Sequence, residues 1–190
     1  VRILGFDPGV RNFAWAVYDG QVREFGWISG HEIGQSDWLF LNSVVETLHR
    51  TKPDLVVYER FAFRDKASVE SEPINVMIGK LDLLVRMKGI PVQRVMPAHW
   101  KVKLKTKEHA KGAIGLFPDV TFEAVHQADA AGIARYIFEK RVQAEADAVA
   151  AAQKPSKKTR KAKQEARTPA SSDWERATTM NAKLEKTRSV

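Results

Sequence analysis

Cysteine is absent from the 190-residue chain, which excludes disulfides, thiolate metal sites and thiol nucleophiles. That absence fits a reducing compartment. No apolar run approaches the ~18 residues of a membrane-spanning helix, and no signal-peptide pattern precedes the first apolar run, so a cytoplasmic setting is expected. Acids are scarce towards the C-terminus. Residues 151–190 hold eleven Lys or Arg against four Asp or Glu, a net +7, whereas residues 1–150 hold twenty against nineteen, a net +1. A near-neutral body with a basic tail suggests a polyanion partner, most often nucleic acid; a merely solubilising tail is the alternative. Hydrophobic residues make up 44% of the chain and five are Trp. That supports one core-bearing domain over 1–150 and a basic tail, partly helical or disordered, over 151–190.

The chain is organised around Val1–Asp19. Arg2–Phe6 is an apolar run of strand length ended by Asp7-Pro8-Gly9, and Phe13–Tyr18 resumes as a second β-prone run. An acid closing a buried-type strand is costly unless a cation meets it; a hairpin with an incidental Asp at its turn is the plain alternative. Gln21–Ile28 reads as a third strand of an antiparallel meander. Ser36 or Asp37 caps a helix over Trp38–Arg50. Leu55–Tyr58 is a continuous apolar strand of the kind buried on both faces, and it ends in Glu59. Pro73 reads as the first residue of a helix whose Ile74, Met77, Ile78, Leu81, Leu84 and Val85 form one stripe, with Gly89 as its cap. Ile90–Met96 follows as a fifth strand, Ala98–Lys105 as a basic connector, and Thr106 opens a short helix to about Leu116. A last long helix opens at His126 and runs towards Gln153, ahead of Pro155. A further short helix is expected over Asp173–Arg188.

If the first and fourth strands lie side by side in parallel, Asp7 and Glu59 project from one sheet edge. His126 and Asp129, three apart, share a helical face and meet them there. Three converging carboxylates repel unless a cation joins them. Such an oxygen-rich set suits Mg²⁺ or Mn²⁺, with His as an additional ligand, and two such ions can drive phosphodiester hydrolysis. A nuclease is the activity these groups fit.

These residues also carry a family resemblance. Phe6-Asp7-Pro8-Gly9-Val10-Arg11-Asn12, Val57-Tyr58-Glu59 and His126-Gln127-Ala128-Asp129-Ala130-Ala131 resemble the three active-site motifs of RuvC-type Holliday-junction resolvases, over about Arg2 to Tyr136. Those enzymes belong to the RNase H-like, or retroviral-integrase, superfamily. The resemblance implies an α/β RNase H-like fold: a five-stranded mixed sheet of order 3-2-1-4-5 flanked by helices. It implies a metal-dependent, structure-selective endodeoxyribonuclease that resolves Holliday junctions and other branched DNA by paired nicks, acting as a homodimer. It further implies two Mg²⁺ or Mn²⁺ ions per site, with Asp7 bridging them and Glu59, His126 and Asp129 completing their shells. His is a known variant three residues before the last catalytic Asp. The DPGVRNFAW wording is also similar to viral and mitochondrial relatives, and the tail is more basic than bacterial cellular resolvases usually show. A phage-encoded resolvase, working in the cytoplasm of an infected host, fits both features.

Arg11, Arg60, Arg64, Lys66, Lys101, Lys103, Lys105, Lys107 and Lys111 flank the proposed site and are candidates for neutralising DNA phosphates; a solvated basic face is the alternative. Phe61 or Phe63 follows Glu59 where the family places an aromatic that wedges or stacks at the junction point, ordinary core packing being the alternative. Val76, Lys80, Leu83 and Met87 form the second face of their helix and a candidate dimer seam. Two other functions remain open: an RNase H-type or ribosomal-RNA-processing nuclease, and a junction-binding protein without cleavage. Retention of three repelling acids argues against the last.

Overall fold

The computed structural model describes residues 1–9, 12–29, 37–60, 71–101 and 113–153. Three strands open the chain: β1 (Ile3–Asp7), β2 (Asn12–Tyr18) and β3 (Val22–Ser29), paired antiparallel in sequence. Helix α1 (Asp37–Thr51) leads to β4 (Leu55–Glu59), which pairs parallel with β1. Helix α2 (Ser71–Met87) leads to β5 (Val92–Val95), parallel to β4. A five-residue helix α3 (Pro97–Lys101), a 3₁₀ turn (Ile114–Leu116) and the long helix α4 (Val125–Gln153) complete the described elements. The sheet order is β3-β2-β1-β4-β5, with β1 at its centre. This is the mixed sheet expected from the sequence.

Alternation along the strands divides the core in two. Leu4, Phe6, Phe13, Trp15, Val17, Val56 and Tyr58 face one way, onto Phe40, Val44 and Leu48 of α1 and Ile74, Ile78, Leu81 and Val85 of α2. Both helices follow the i, i+3/i+4 pattern; Thr47 and Thr51 of α1 are buried too, each hydroxyl donating to the carbonyl four residues back. Ile3, Ala14, Ala16, Tyr18, Leu55 and Val57 face the other way, onto Ala130, Ile133, Ala134 and Ile137 of α4. Gly5 sets how near α4 comes. A Cβ built there would stand 2.2 Å from the carbonyl oxygen of Ala130 and 3.1 Å from the Ala134 Cβ. Helix and strand therefore touch backbone to backbone, which a side chain at position 5 forbids.

The boundaries differ from expectation for local reasons. The fifth strand is Val92–Val95 rather than Ile90–Met96. Pro91 and Pro97 lack N–H donors, and the Ile90 N–H is spent on the Val85 carbonyl. That bond and Gly89 N–H to Arg86 form a Schellman cap, with Gly89 at φ 72°. Helix α2 begins at Ser71, two residues before Pro73; a proline is tolerated anywhere in a first turn because those N–H groups have no helical acceptor. The start of the basic connector is helical, opened by Pro97. Of the helix expected from Thr106 to about Leu116, the described part is only the 3₁₀ turn; residues 102–112 lie outside the described residues, as does the expected helix over Asp173–Arg188. Helix α4 does run to Gln153.

The chain divides into two compact units, Val1–Gln143 and Ala144–Val190. The sheet and the helices packed on it belong to the first. Of the second, the described residues are the helical Ala144–Gln153. No helix among the described residues is long and apolar enough to cross a membrane.

Candidate active site

Parallel pairing fixes the first two acids. Phe6 of β1 lies opposite Tyr58 of β4, so the next step outward carries Asp7 and Glu59 on neighbouring strands. Both point to the α4 side, because each alternates with residues of that core, Ile3 on β1 and Val57 on β4. The Gly5–Ala130 contact then lays the first turns of α4 over this corner. His126 Nδ1 sits 2.7 Å from Asp7 Oδ2, and Asp129, one turn further along, is buried beside them. Asp7, Glu59, His126 and Asp129, singled out from the sequence, thus gather at one edge of the sheet.

Each acid has its own donor. The Ala113 backbone N–H donates to Asp129 Oδ1 at 2.9 Å, and the Trp100 indole N–H donates to Glu59 Oε2 at 2.8 Å. Lys101 turns its ammonium inward, 3.2 Å from Glu59 Oε2 and 3.9 Å from Asp129 Oδ2. The sequence names it as a cation flanking the site and a candidate for neutralising DNA phosphate, and it lies beside two partly buried carboxylates. Gln127 is almost wholly buried, and its Oε1 accepts from the backbone N–H groups of Glu123 (2.9 Å) and Ala124 (3.2 Å). That bond caps the start of α4 in the manner of the second half of a capping box, so the turn carrying His126 and Asp129 is held from within.

The charges leave their mark on proton affinities. Burial, and then the charge of Asp7, push the Asp129 carboxyl up to about 6. Burial also raises Glu59, against the opposing pull of Lys101 and the Trp100 bond. The hydrogen bond to Asp7 raises His126 above the ordinary imidazole value. On the opposite face of β4, the Tyr58 hydroxyl donates to Asp82 Oδ1 (2.9 Å) and accepts from Arg94 Nε (2.7 Å). Asp82 also pairs with Arg86 at 2.8 Å. Burial and the bond to Asp82 push the Tyr58 hydroxyl up to about 12. This network ties β4, one residue before Glu59, to α2 and β5.

The donor set has the chemistry for hard divalent cations, three carboxylates with one imidazole. Among the described residues no three His, Asp or Glu stand in an arrangement that could hold a metal ion as it is. The observation that fits an ion is the gathering of Asp7, Glu59 and Asp129 at one sheet edge, where the charges of Asp7 and Glu59 add to the effect of burial in raising Asp129.

Arg60, a candidate DNA contact, is exposed just beyond β4, its backbone N–H bonded to the Val95 carbonyl. Arg11, Phe61, Phe63, Arg64, Lys66, Lys103, Lys105, Lys107 and Lys111 lie outside the described residues. Trp100 and Gln127 were not identified from the sequence as part of the site. A tryptophan directly before a lysine that reaches acids was the available signal for Trp100; nothing local marks the Ala113 N–H.

No family model matches the sequence. Two curated proteins do, both named crossover junction endodeoxyribonuclease RuvC. That of Ruegeria pomeroyi is 25% identical over 118 residues, covering 58% of this chain and 71% of the relative. That of Borrelia turicatae is 22% identical over 152 residues, covering 70% and 93%. Among solved structures, Thermus thermophilus RuvC in complex with a Holliday junction substrate aligns with a TM-score of 0.61 at 21% identity, over 75% of this chain and 96% of that one. The fold is that of RuvC. Within the RuvC fold the four gathered residues stand at the ends of the two adjacent parallel strands and on the opening turns of the helix that crosses them.

Asp129 generates a pH prediction. A carboxyl raised from 3.8 to about 6 in the folded state binds its proton more tightly there than when unfolded. Stability therefore falls as pH rises through that window and stays lower above it. Asn at this position keeps an acceptor for Ala113 and removes the charge. In buffer with chelator, urea denaturation at pH 7.5 should find Asp129→Asn more stable than the unchanged protein by about 2–3 kcal/mol, with the difference closing near pH 4. A difference that does not shrink on acidification would contradict this origin of the shift.

Proposed function

We propose that this chain is a divalent-metal-dependent endodeoxyribonuclease that resolves Holliday junctions by paired nicks. The observation carrying the reading is the convergence of Asp7, Glu59, Asp129 and His126 at one edge of a RuvC fold, in a chain whose relatives are named as junction endonucleases. Asp7, Glu59, Asp129 and His126 are the groups that would hold two Mg²⁺ or Mn²⁺ ions. Such ions, when bound, supply an activated water and stabilise the leaving oxygen of an in-line displacement. The protein's own part is to orient and to balance charge. Trp100 and the Ala113 N–H hold one oxygen each of Glu59 and Asp129, and Gln127 fixes the turn that carries the helical pair. His126 Nδ1 lies 2.7 Å from Asp7 Oδ2, and that bond raises its proton affinity; as a metal ligand the imidazole would have to be neutral, so an ion and a proton would compete for it. Lys101 offers a positive charge beside Glu59 and Asp129, where negative phosphate oxygens would otherwise meet negative carboxylates.

Asp7→Asn should abolish cleavage of a labelled immobile four-way junction while leaving junction affinity within about threefold, because binding rests mainly on phosphate contacts. Cleavage at a substantial fraction of the normal rate would sink the assignment. Cleavage of an RNA–DNA hybrid in preference to the junction would redirect it to an RNase H-type activity.

Paired nicks need two sites related by two-fold symmetry, so the working form we propose is a homodimer. Helix α2 supports this. Val76, Leu83 and Met87 stay exposed, Leu83 at 62% and Met87 at 76%, on the side turned away from the core. Sedimentation should show a dimer for the full chain and a monomer for Leu83→Asp/Met87→Asp, whose nicks in a cruciform plasmid become single and uncoupled. Monomeric behaviour of the unchanged protein both free and on junction DNA would refute it.

We also propose that the 151–190 segment is a DNA-binding tail separate from the nuclease domain. Its net +7 supports an electrostatic role. Replacing Lys157, Lys158, Arg160, Lys161 and Lys163 by Gln in the full chain should lower the slope of log affinity against log salt, by about 0.9 for each phosphate no longer neutralised. An unchanged slope would assign the tail another partner.

A further inference from the structure

Trp100 does more than fill the core. Its side chain is 2% exposed, although it belongs to a five-residue helix whose neighbours Ala98 and His99 face solvent. Its indole N–H donates to Glu59 Oε2 at 2.8 Å. Its ring edge occupies a slot in α4 that exists because residue 132 is glycine: a Cβ there would stand 2.8 Å from the ring's Cζ3 and 3.0 Å from the Ala113 Cβ. Ala113 is the residue whose N–H holds Asp129. The Lys101 ammonium lies 5.0 Å from the indole centroid, within cation–π range. One ring therefore donates to Glu59, lies beside the Lys101 cation, and shares the space over Gly132 with Ala113, whose N–H holds Asp129.

Two donors serve Glu59, and they differ in kind. Lys101 carries a full positive charge, which a divalent cation at the same carboxylate would repel. The indole N–H is neutral and donates only, so it can keep its bond to Oε2 when a cation arrives at the cluster. It is the partner of Glu59 that suits both the metal-free and the metal-bound states. A fixed hydrogen bond to one oxygen also removes rotational freedom from the carboxylate before it meets an ion. Removal of partners of this type typically changes metal affinity or activity 10–100-fold.

We infer that Trp100, seated in the Gly132 slot, is a positioning residue that holds the Glu59 carboxylate for divalent-metal binding. The inference rests on the metal-dependent reading of the Asp7–Glu59–Asp129 corner, and its test separates the two.

Mn²⁺ binding to the DNA-free full-length chain is measured by electron paramagnetic resonance for the unchanged protein and for Trp100→Phe, Gly132→Ala, Trp15→Phe and Asp7→Asn, with folding followed by circular dichroism and urea denaturation. Trp15 is a buried tryptophan on the opposite face of the sheet, so Trp15→Phe reports removal of a buried indole away from the acids. Trp100→Phe removes the N–H, whereas Gly132→Ala keeps it but displaces the ring. Both should weaken Mn²⁺ binding about tenfold and lower kcat on a four-way junction without raising KM. Trp15→Phe should lose stability and bind Mn²⁺ normally. If Trp100→Phe does not fold, benzothienylalanine placed at position 100 keeps the ring shape and removes only the N–H, and should show the same weakening. Unaltered Mn²⁺ affinity in the folded Trp100 variant, while Asp7→Asn no longer binds the ion, overturns the inference and leaves the metal site standing. Absence of Mn²⁺ binding in the unchanged protein overturns both.

Discussion

Asp7, Glu59 and Asp129 crowd three carboxyl groups into one corner, and their mutual repulsion is the constraint to which the surrounding structure answers. Burial worsens it, because each acid loses water along with the screening that water gives. The fold responds by giving every acid a separate donor: an imidazole for Asp7, an indole and an ammonium for Glu59, a backbone N–H for Asp129. Those donors come from three different stretches of chain, so the corner can exist only once the tertiary structure is complete. Burial, and after it the charge of Asp7, still raises the proton affinity of Asp129.

The parts of this corner legible in the sequence are those in conflict with their surroundings. A carboxylate closing an otherwise apolar run is unusual, and two such runs, ending in Asp7 and Glu59, stand out for that reason. His126 and Asp129 are legible through helical spacing. The sheet order follows from the sequence of strand and helix patterns together with the family resemblance. What stays hidden depends on contacts distant in sequence. Trp100 sits among basic residues, and its burial needs a glycine 32 positions later. Lys101 reads from the sequence only as one cation of a basic run, because the acids it meets lie in distant stretches of chain. Nothing in the residue type of Ala113 announces that its backbone serves Asp129.

The far side of β4 carries a second polar arrangement, remote from the acids. Tyr58 points away from them, yet its hydroxyl joins Asp82 of α2 to Arg94 of β5. Asp82 neighbours Leu83, and Arg86 neighbours Met87, both on the exposed apolar side of α2. The strand that presents Glu59 is thereby tied through hydrogen bonds to the same helix whose outer face exposes Leu83 and Met87. Packing by Leu81 and Val85 supports that tie from the core side.

The contact at Gly5 also decides how the corner can adapt. Because β1 meets α4 backbone to backbone, no change of side-chain rotamer can loosen that junction, and the main-chain positions that carry Asp7 and Asp129 are held together by it. Glu59 is restrained differently, through side chains. Its carboxylate is held by Trp100 and Lys101 of a helix only five residues long, and the Trp100 ring is itself seated over Gly132 of α4. Main chain anchors one side of the corner and an indole anchors the other, so both take their position from the same helix.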